Sequence, residues 1–207
     1  MILVIDDLLD SEYADKIERE CLSVLRYGYA EKSVSPTVEC TDPRVFDAGF
    51  FTCQFCNEFE TYWTPKLNPF AWYMAELMPL LGNLQAKVPE IEFTYISKMT
   101  ANLQLQQKDA PTDHYNVPHW DADASNKFYS MVYYTTDSDG DTVLFNEFHD
   151  TSMKGQVQEN LTICQRVTPK KNRAVIFESN RYHTSSFPIT SKKRLVINVV
   201  MRAHHKS

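Results

Sequence analysis

The sequence predicts a mainly β protein (α+β), with a helical N-terminal third laid against a β-rich remainder. Three observations carry this reading. From Glu92 onward, short runs rich in β-branched and aromatic residues (93–96, 128–134, 142–145, 174–177 and 195–201) are separated by polar turns. No helical segments stand between them, which argues for an all-β sandwich or barrel and against βαβ units. Five Gly against eleven Tyr and twelve Phe also speak against a Gly-rich, doubly wound nucleotide binder.

Each element has a local reason. Residues 1–5 (MILVI) read as a short strand. Asp10 and Ser11 are good caps for a helix running to about residue 25, where Ala14, Ile17, Cys21, Val24 and Leu25 recur at helical spacing with charges between them. Residues 27–48 are polar and irregular, with Pro36 and Pro43, and are expected to form a loop. Residues 50–55 alternate weakly and are expected to be a strand. Asn68-Pro69 opens a second helix that reaches Val88 and is apolar along most of its length. Its longest apolar run is cut by Glu76 and Pro79, and falls short of the roughly 18 residues of a membrane span. No repeat, low-complexity tract or linker appears. One domain over 1–207 is expected, with 1–91 as helical support and 92–202 as the core.

Composition narrows the function classes. With 43% hydrophobic and 23% charged residues, the chain has material for a buried core and is not a disordered polymer. A net charge of −6 is a poor start for holding a phosphate backbone, so nucleic acid is not an expected partner. The basic residues concentrate in 165–207, where the expectation is a solvated outer face, with some cations left for an anionic ligand. Residues 1–10 lack a basic region ahead of Asp6 and Asp7, so no signal peptide is expected. Five cysteines, an odd number, then suggest reduced thiols and a cytoplasmic location. Cys53-x-x-Cys56 lacks a second pair and reads as two thiols on a strand, not a zinc site.

The chemistry-bearing pattern begins at His119-x-Asp121. On an extended strand residues i and i+2 share a face, so both side chains can reach one ion. Among fourteen Asp and six His such a pair is weak evidence alone. His183 follows the strand at 174–177 across a polar loop, and 188–191 reads as a turn into the last strand. A hairpin there would set Arg194 across from about Ser185, and His183 across from about Val196. Two His and one carboxylate with open positions form the facial triad of non-heme Fe(II) oxygenases. An Arg one short diacid away would offer a fork for a carboxylate.

On these residues the chain resembles the Fe(II)/2-oxoglutarate-dependent dioxygenases, and within them the prolyl 4-hydroxylase-like branch. The resemblance covers roughly 92–202. It rests on His119-x-Asp121, the strand 128–134 (FYSMVYY), the Asp139-Gly140-Asp141-Thr142 turn, the segment 167–177, His183, and Lys193-Arg194 leading into 195–199. It implies a double-stranded β-helix (a cupin-like jelly roll), with the N-terminal helices packed against one sheet and the metal at the open end. It further implies Fe(II) on His119, Asp121 and His183, and the C5 carboxylate of 2-oxoglutarate on Arg194. By the same resemblance a Tyr134 hydroxyl joins that carboxylate, and Asn198 stands near the metal. Period two puts Tyr134 on one face with Val132 and Ser130, and Asn198 on one face with Arg194 and Val196. The implied reaction consumes 2-oxoglutarate and O2, with ascorbate as a further expected cofactor. It yields succinate and CO2 while a small molecule or peptide, such as a prolyl or other amino-acid side chain, is hydroxylated.

The departures from the branch lie at the rim. Gln104 and Gln106 stand where a Tyr is usual, no Gly follows them, and Gly140 is single. Tyr115 matches an aromatic of the branch, His114 is expected to be solvated or at the entrance, and His149 is expected in a surface loop. Asp123 is expected to be carried away from the ion by a turn. Two other readings were weighed. A silent jelly-roll binding module has no reason to retain all four of His119, Asp121, His183 and Arg194. A nucleic-acid oxidative demethylase would carry a further Arg six residues after Arg194, where this chain has Val200, with Arg202 at eight.

Overall fold

The structure, a computed structural model, describes residues 1–31, 40, 42–57, 70–122, 127–150 and 160–205. Its elements are β1 (Ile2–Ile5), α1 (Ser11–Ser23), β2 (Gly28–Ala30), β3 (Phe50–Asn57), a 3-10 turn (Ala71–Tyr73), α2 (Met74–Lys87), β4 (Ile91–Leu105), β5 (Phe128–Tyr134), β6 (Thr142–Phe148), β7 (Ile163–Val167), β8 (Arg173–Glu178), β9 (Arg181–Ser185) and β10 (Lys193–His205). The strands form two antiparallel sheets, one of seven in the order β1-β8-β5-β10-β4-β3-β2 and one of three in the order β7-β6-β9. This is the mainly β, jelly-roll architecture that the sequence led us to expect.

Strand alternation explains why the helices and the small sheet sit on opposite faces of the large one. Met131 and Tyr133 of β5, Ala174 and Ile176 of β8, and Leu195, Ile197 and Val199 of β10 pack with Ile17, Cys21, Leu77, Leu80 and Leu84 of the two helices. Their neighbours in sequence, Val132, Tyr134, Val175, Phe177 and Val196, point the other way, onto Leu144 and Val167 of the small sheet. Each fully buried Leu, Ile or Val contributes about 1.5–3 kcal/mol of transfer free energy. Asp10 caps α1 by accepting from the backbone N–H of Glu12 and Tyr13.

Four sequence expectations need correction. The strand expected at 93–96 is only the start of β4, a 15-residue strand. Its second half was hidden because Lys98, Thr100, Asn102 and Gln104 are polar at every second position, and these line a cavity. A three-residue strand, β2, lies within the expected loop. The second helix begins at Met74, after the 3-10 turn; the expected start at Asn68 lies outside the described residues. The proposed hairpin does not form. His183 pairs with Leu144 in the small sheet, while Arg194 pairs with Gln104 and Val196 with Tyr134 in the large one. The connection between β9 and β10 crosses from one sheet to the other, so His183 and Arg194 approach one cavity from opposite walls.

Much of the C-terminal basic charge is paired at the surface, Arg173 with Asp6, Lys171 with Asp15 and Glu18, and Arg166 with Asp141. Cys53 and Cys56 are buried on β3 and are not joined in a disulfide. Among the described residues no helix is long and apolar enough to cross a membrane.

Candidate active site

A cavity of about 440 Å³ opens between the two sheets, within the range of small-molecule sites. His119 reaches it through a two-way backbone bridge to β9: its N–H donates to the His183 carbonyl at 2.9 Å, and the His183 N–H returns to the His119 carbonyl at 2.8 Å. This places the two imidazoles side by side, with centroids 4.5 Å apart. The Asp121 N–H donates to the Ser179 carbonyl at 2.8 Å, which turns its carboxylate toward the pair. Asp121 Oδ2 lies 3.3 Å from His183 Nε2. One ligand atom from each of His119, Asp121 and His183 fits within a 4.8 Å span, close enough for a single metal ion.

The hydrogen bonds around these residues suit a metal. His119 Nδ1 faces the Val117 carbonyl at 3.3 Å and His183 Nδ1 faces the Arg181 carbonyl at 3.0 Å. A carbonyl only accepts, so each Nδ1 carries the proton and each neutral ring keeps a lone pair on Nε2, the tautomer of a ligating histidine. Burial, helped by the neighbouring His183, pushes the His119 pKa down to about 4, so it is neutral at physiological pH. Burial alone would raise the Asp121 carboxyl, but His183, Lys98 and His119 outweigh it and hold it below the usual range. Ser130 donates to Asp121 Oδ2 at 2.6 Å and fixes its orientation.

At the other end stands Arg194, only 4% exposed. Its Nε donates to the Gly140 carbonyl at 2.7 Å, Nη1 to Gln104 Oε1 at 3.1 Å and Nη2 to Thr142 Oγ1 at 2.8 Å. All three acceptors are neutral, and two of the five guanidinium N–H groups remain. Among the described residues Arg194 has no ion pair. A buried cation is costly without an anion, so this arrangement is built for one. Gly140 is required by close approach: a Cβ there would lie 2.7 Å from the Ser186 carbonyl oxygen and 2.9 Å from the Pro188 nitrogen. The adjacent Asp139 accepts from the backbone N–H of Ile189, Thr190 and Ser191, tying the β5–β6 connection to the segment that leads into β10.

The remaining sequence candidates divide. Tyr134 is fully buried and its hydroxyl donates to Thr142 Oγ1 at 2.7 Å, so it stands one residue behind Arg194 and does not line the cavity. Asn198 does line it, and its Oδ1 is buried with no hydrogen-bond partner. Gln104 lines the cavity; Gln106 instead donates to the Ile189 carbonyl. Tyr115 is buried with its hydroxyl on Asp42, away from the cavity. His114 is not solvated: it is 1% exposed and its Nε2 accepts from the Phe187 N–H. His149 is not a surface residue either, being 6% exposed and stacked on Trp120 with centroids 3.5 Å apart. Both were misjudged because their sequence neighbours are polar. Asp123 lies outside the described residues. Sequence reasoning missed Thr142, which it read as the end of a turn and the start of a strand but not as a site residue, and Lys98, which stands in the cavity wall.

Residues 103–202 match the family model described as the 2OG-Fe(II) oxygenase superfamily. The matched segment, which carries His119, Asp121, His183 and Arg194, is that of a 2OG-Fe(II) oxygenase. As a 2OG-Fe(II) oxygenase it is an iron enzyme, with 2-oxoglutarate and O2 as co-substrates. The chain is similar in structure to a Pseudomonas putida prolyl-4-hydroxylase, at 13% identity and a TM-score of 0.52, over 100% of this chain and 93% of that one. It is also similar to a prolyl hydroxylase from Trichoplax adhaerens, solved with a hypoxia inducible factor peptide fragment, at 13% identity and a TM-score of 0.55, over 97% of this chain and 83% of that one. The non-heme alpha ketoglutarate-dependent carbocyclase SnoK from nogalamycin biosynthesis aligns at 10% identity and a TM-score of 0.62, over 99% of this chain and 81% of that one. At such identities these likenesses establish the fold. Comparison with curated protein sequences gives no match.

Proposed function

We propose that this oxygenase is a dioxygenase that hydroxylates a prolyl or other amino-acid side chain, free or in a peptide, as one domain over 1–207. Substrate R–H, O2 and 2-oxoglutarate would give R–OH, succinate and CO2, with one oxygen atom entering each of the alcohol and the succinate. His119, Asp121 and His183 would hold the iron, which would supply the redox chemistry that uses O2 and 2-oxoglutarate. Arg194 would take the distal carboxylate on its two remaining N–H groups. Thr142 Oγ1 already accepts from Arg194 and Tyr134, so its own proton is left to donate toward that carboxylate. Tyr134 would act by orienting Thr142, and Asn198 would offer its unpaired Oδ1 to a donor in the occupied site.

The observation that carries this reading is Arg194, a buried cation on neutral partners, opening into the cavity that also gathers two imidazoles and a carboxylate. The test is to titrate 2-oxoglutarate into the Fe(II) protein under nitrogen and follow the metal-to-ligand absorption band. A saturable band in the wild type, and none in His183→Ala, is the expected result. A wild type that gives no band would refute the assignment. Mass spectrometry for +16 Da products dependent on iron and 2-oxoglutarate then tests hydroxylation itself.

A further inference from the structure

The cavity has a cation at each end, and the co-substrate accounts for only one. Among the described residues that line it, Arg194 and Lys98 are the cations and Asp121 is the carboxylate. On β4, Gln104 pairs with Arg194 and Lys98 pairs with Val200. Those six residues of strand separate the two backbone positions by about 20 Å. Val200 in turn pairs with Ser130, the residue that holds Asp121. Lys98 therefore stands at the Asp121 end, with Asn198 and Thr100 on the rungs between it and Arg194. A five-carbon diacid reaching from Arg194 toward His119, Asp121 and His183 would spend its distal carboxylate on Arg194 and leave the Lys98 ammonium to another anion.

Lys98 is near enough for its charge to lower the pKa of both His119 and Asp121. Among the described residues its ammonium makes no hydrogen bond or ion pair. The wall beside it is neutral and polar: Thr100 and Asn102 of β4 pair with Gln54 and Thr52 of β3, and Thr52 donates to Asn102 Oδ1 at 2.8 Å. Charge balance points the same way. Among the described lining residues, two cationic side chains together with a divalent iron would outweigh Asp121 and a dianionic 2-oxoglutarate by one positive charge, which one further carboxylate would neutralise.

We propose that Lys98 anchors a carboxylate of the prime substrate, which is thus an amino acid or another small carboxylic acid whose polar remainder lies against Thr52, Gln54, Thr100 and Asn102. The assignment rests on the site being that of a 2-oxoglutarate oxygenase, and names its substrate class. Lys98 would orient the substrate by charge and hydrogen bonding, and take no part in bond breaking.

The test uses iron-loaded protein with 2-oxoglutarate, O2 and a panel of the twenty L-amino acids, their carboxamides, capped tripeptides containing the same residues, and aliphatic mono- and dicarboxylic acids. Products are read as +16 Da. At least one free acid should be turned over, and its carboxamide and capped-peptide counterparts should not. Lys98→Met should raise KM for that acid by about tenfold to a hundredfold, the cost of one charged hydrogen bond, with a much smaller change in kcat. Lys98→Arg should recover most of the loss. The anaerobic 2-oxoglutarate band should form in Lys98→Met as in the wild type, which also shows that the variant folds. Preferential turnover of carboxamides or capped peptides, an unchanged KM in Lys98→Met, or no acid turned over by a protein that forms the band would each overturn the proposal. If the wild type gives no band, the co-substrate site itself is wrong and the Lys98 assignment falls with it.

Discussion

Arg194 Nη2 lies 2.8 Å from Thr142 Oγ1, and the same oxygen accepts the Tyr134 hydroxyl at 2.7 Å. One hydroxyl thus links the buried cation to the buried phenol. Arg194→Ala should weaken 2-oxoglutarate binding by about thirtyfold to a thousandfold, or roughly 2–4 kcal/mol, because a buried ion pair loses one partner. Thr142→Val keeps the shape but removes the acceptor of Arg194 Nη2 and leaves the Tyr134 hydroxyl only the Val167 carbonyl at 3.3 Å, and should cost about 1–3 kcal/mol in the same titration. Tyr134→Phe should cost less than Arg194→Ala, since it removes only the support of Thr142. Iron affinity should be unchanged in Arg194→Ala; its loss there would place Arg194 on the metal instead.

His119→Ala, Asp121→Ala and His183→Ala should each abolish Fe(II) binding, measured by anaerobic titration, while circular dichroism shows a folded chain. The sheets are held by Met131, Ile176, Val199 and the helices, a core to which none of these three side chains belongs. Tight iron binding by any of the three variants would remove that residue from the ligand set.

Gly140→Ala should destabilise the protein by about 1–3 kcal/mol, as overpacking against atoms with little room does. The atoms nearest the added methyl are the Ser186 oxygen and the Pro188 nitrogen of the backbone, followed by Arg194 Cδ at 3.1 Å. The shift should reach Arg194, so 2-oxoglutarate affinity should fall together with the thermal midpoint. A stable variant of unchanged affinity would contradict the packing described.

The metal-free protein should lose stability as pH falls from about 6.5 to about 4. His119 has its pKa lowered from 6.5 to about 4 by burial and by His183. Across that window the unfolded chain binds the proton that the folded chain refuses, so stability drops with pH, and the His119 contribution to this loss is complete below the window. Denaturant unfolding of wild type and His119→Gln at several pH values checks this. The variant should show a flatter dependence, and equal slopes would assign the effect elsewhere.

The elements that were legible in the sequence are those whose neighbours are other parts of the same core. Ala14, Ile17 and Cys21 announce α1 because their shared face is buried, and 128–134 announces β5 because both of its faces are covered. The second half of β4 was illegible for the opposite reason. Its alternate residues face a cavity, where a polar side chain serves a ligand, so the apolar signal halves. His119, Asp121, His183 and Arg194 could be singled out because one ion and one diacid would demand just these residue types at such a spacing, and the structure gathers all four at one cavity. The sheet to which each belongs could not be found from spacing. A turn at 188–191 is compatible with a hairpin or with a crossover, and long-range pairing with β4 and β5 decides for the crossover. Thr142, Ser130 and Lys98 are ordinary residues in sequence, distinguished only by what lies opposite them.

Asp139 ties together the backbone N–H groups of Ile189, Thr190 and Ser191 beside the Arg194 end of the cavity, while Lys98 at the far end has no such restraint. The two halves of the site should therefore differ in calorimetric character. The diacid meets a socket already assembled, and its association carries a small entropic penalty, because little chain has to be ordered on arrival. The second ligand meets a long aliphatic stem free to rotate about several bonds, whose immobilisation costs about 0.5–1.5 kcal/mol. That freedom also lets one ammonium follow acids of different length. The enzyme would be exacting toward its diacid and tolerant of chain length in whatever it oxidises.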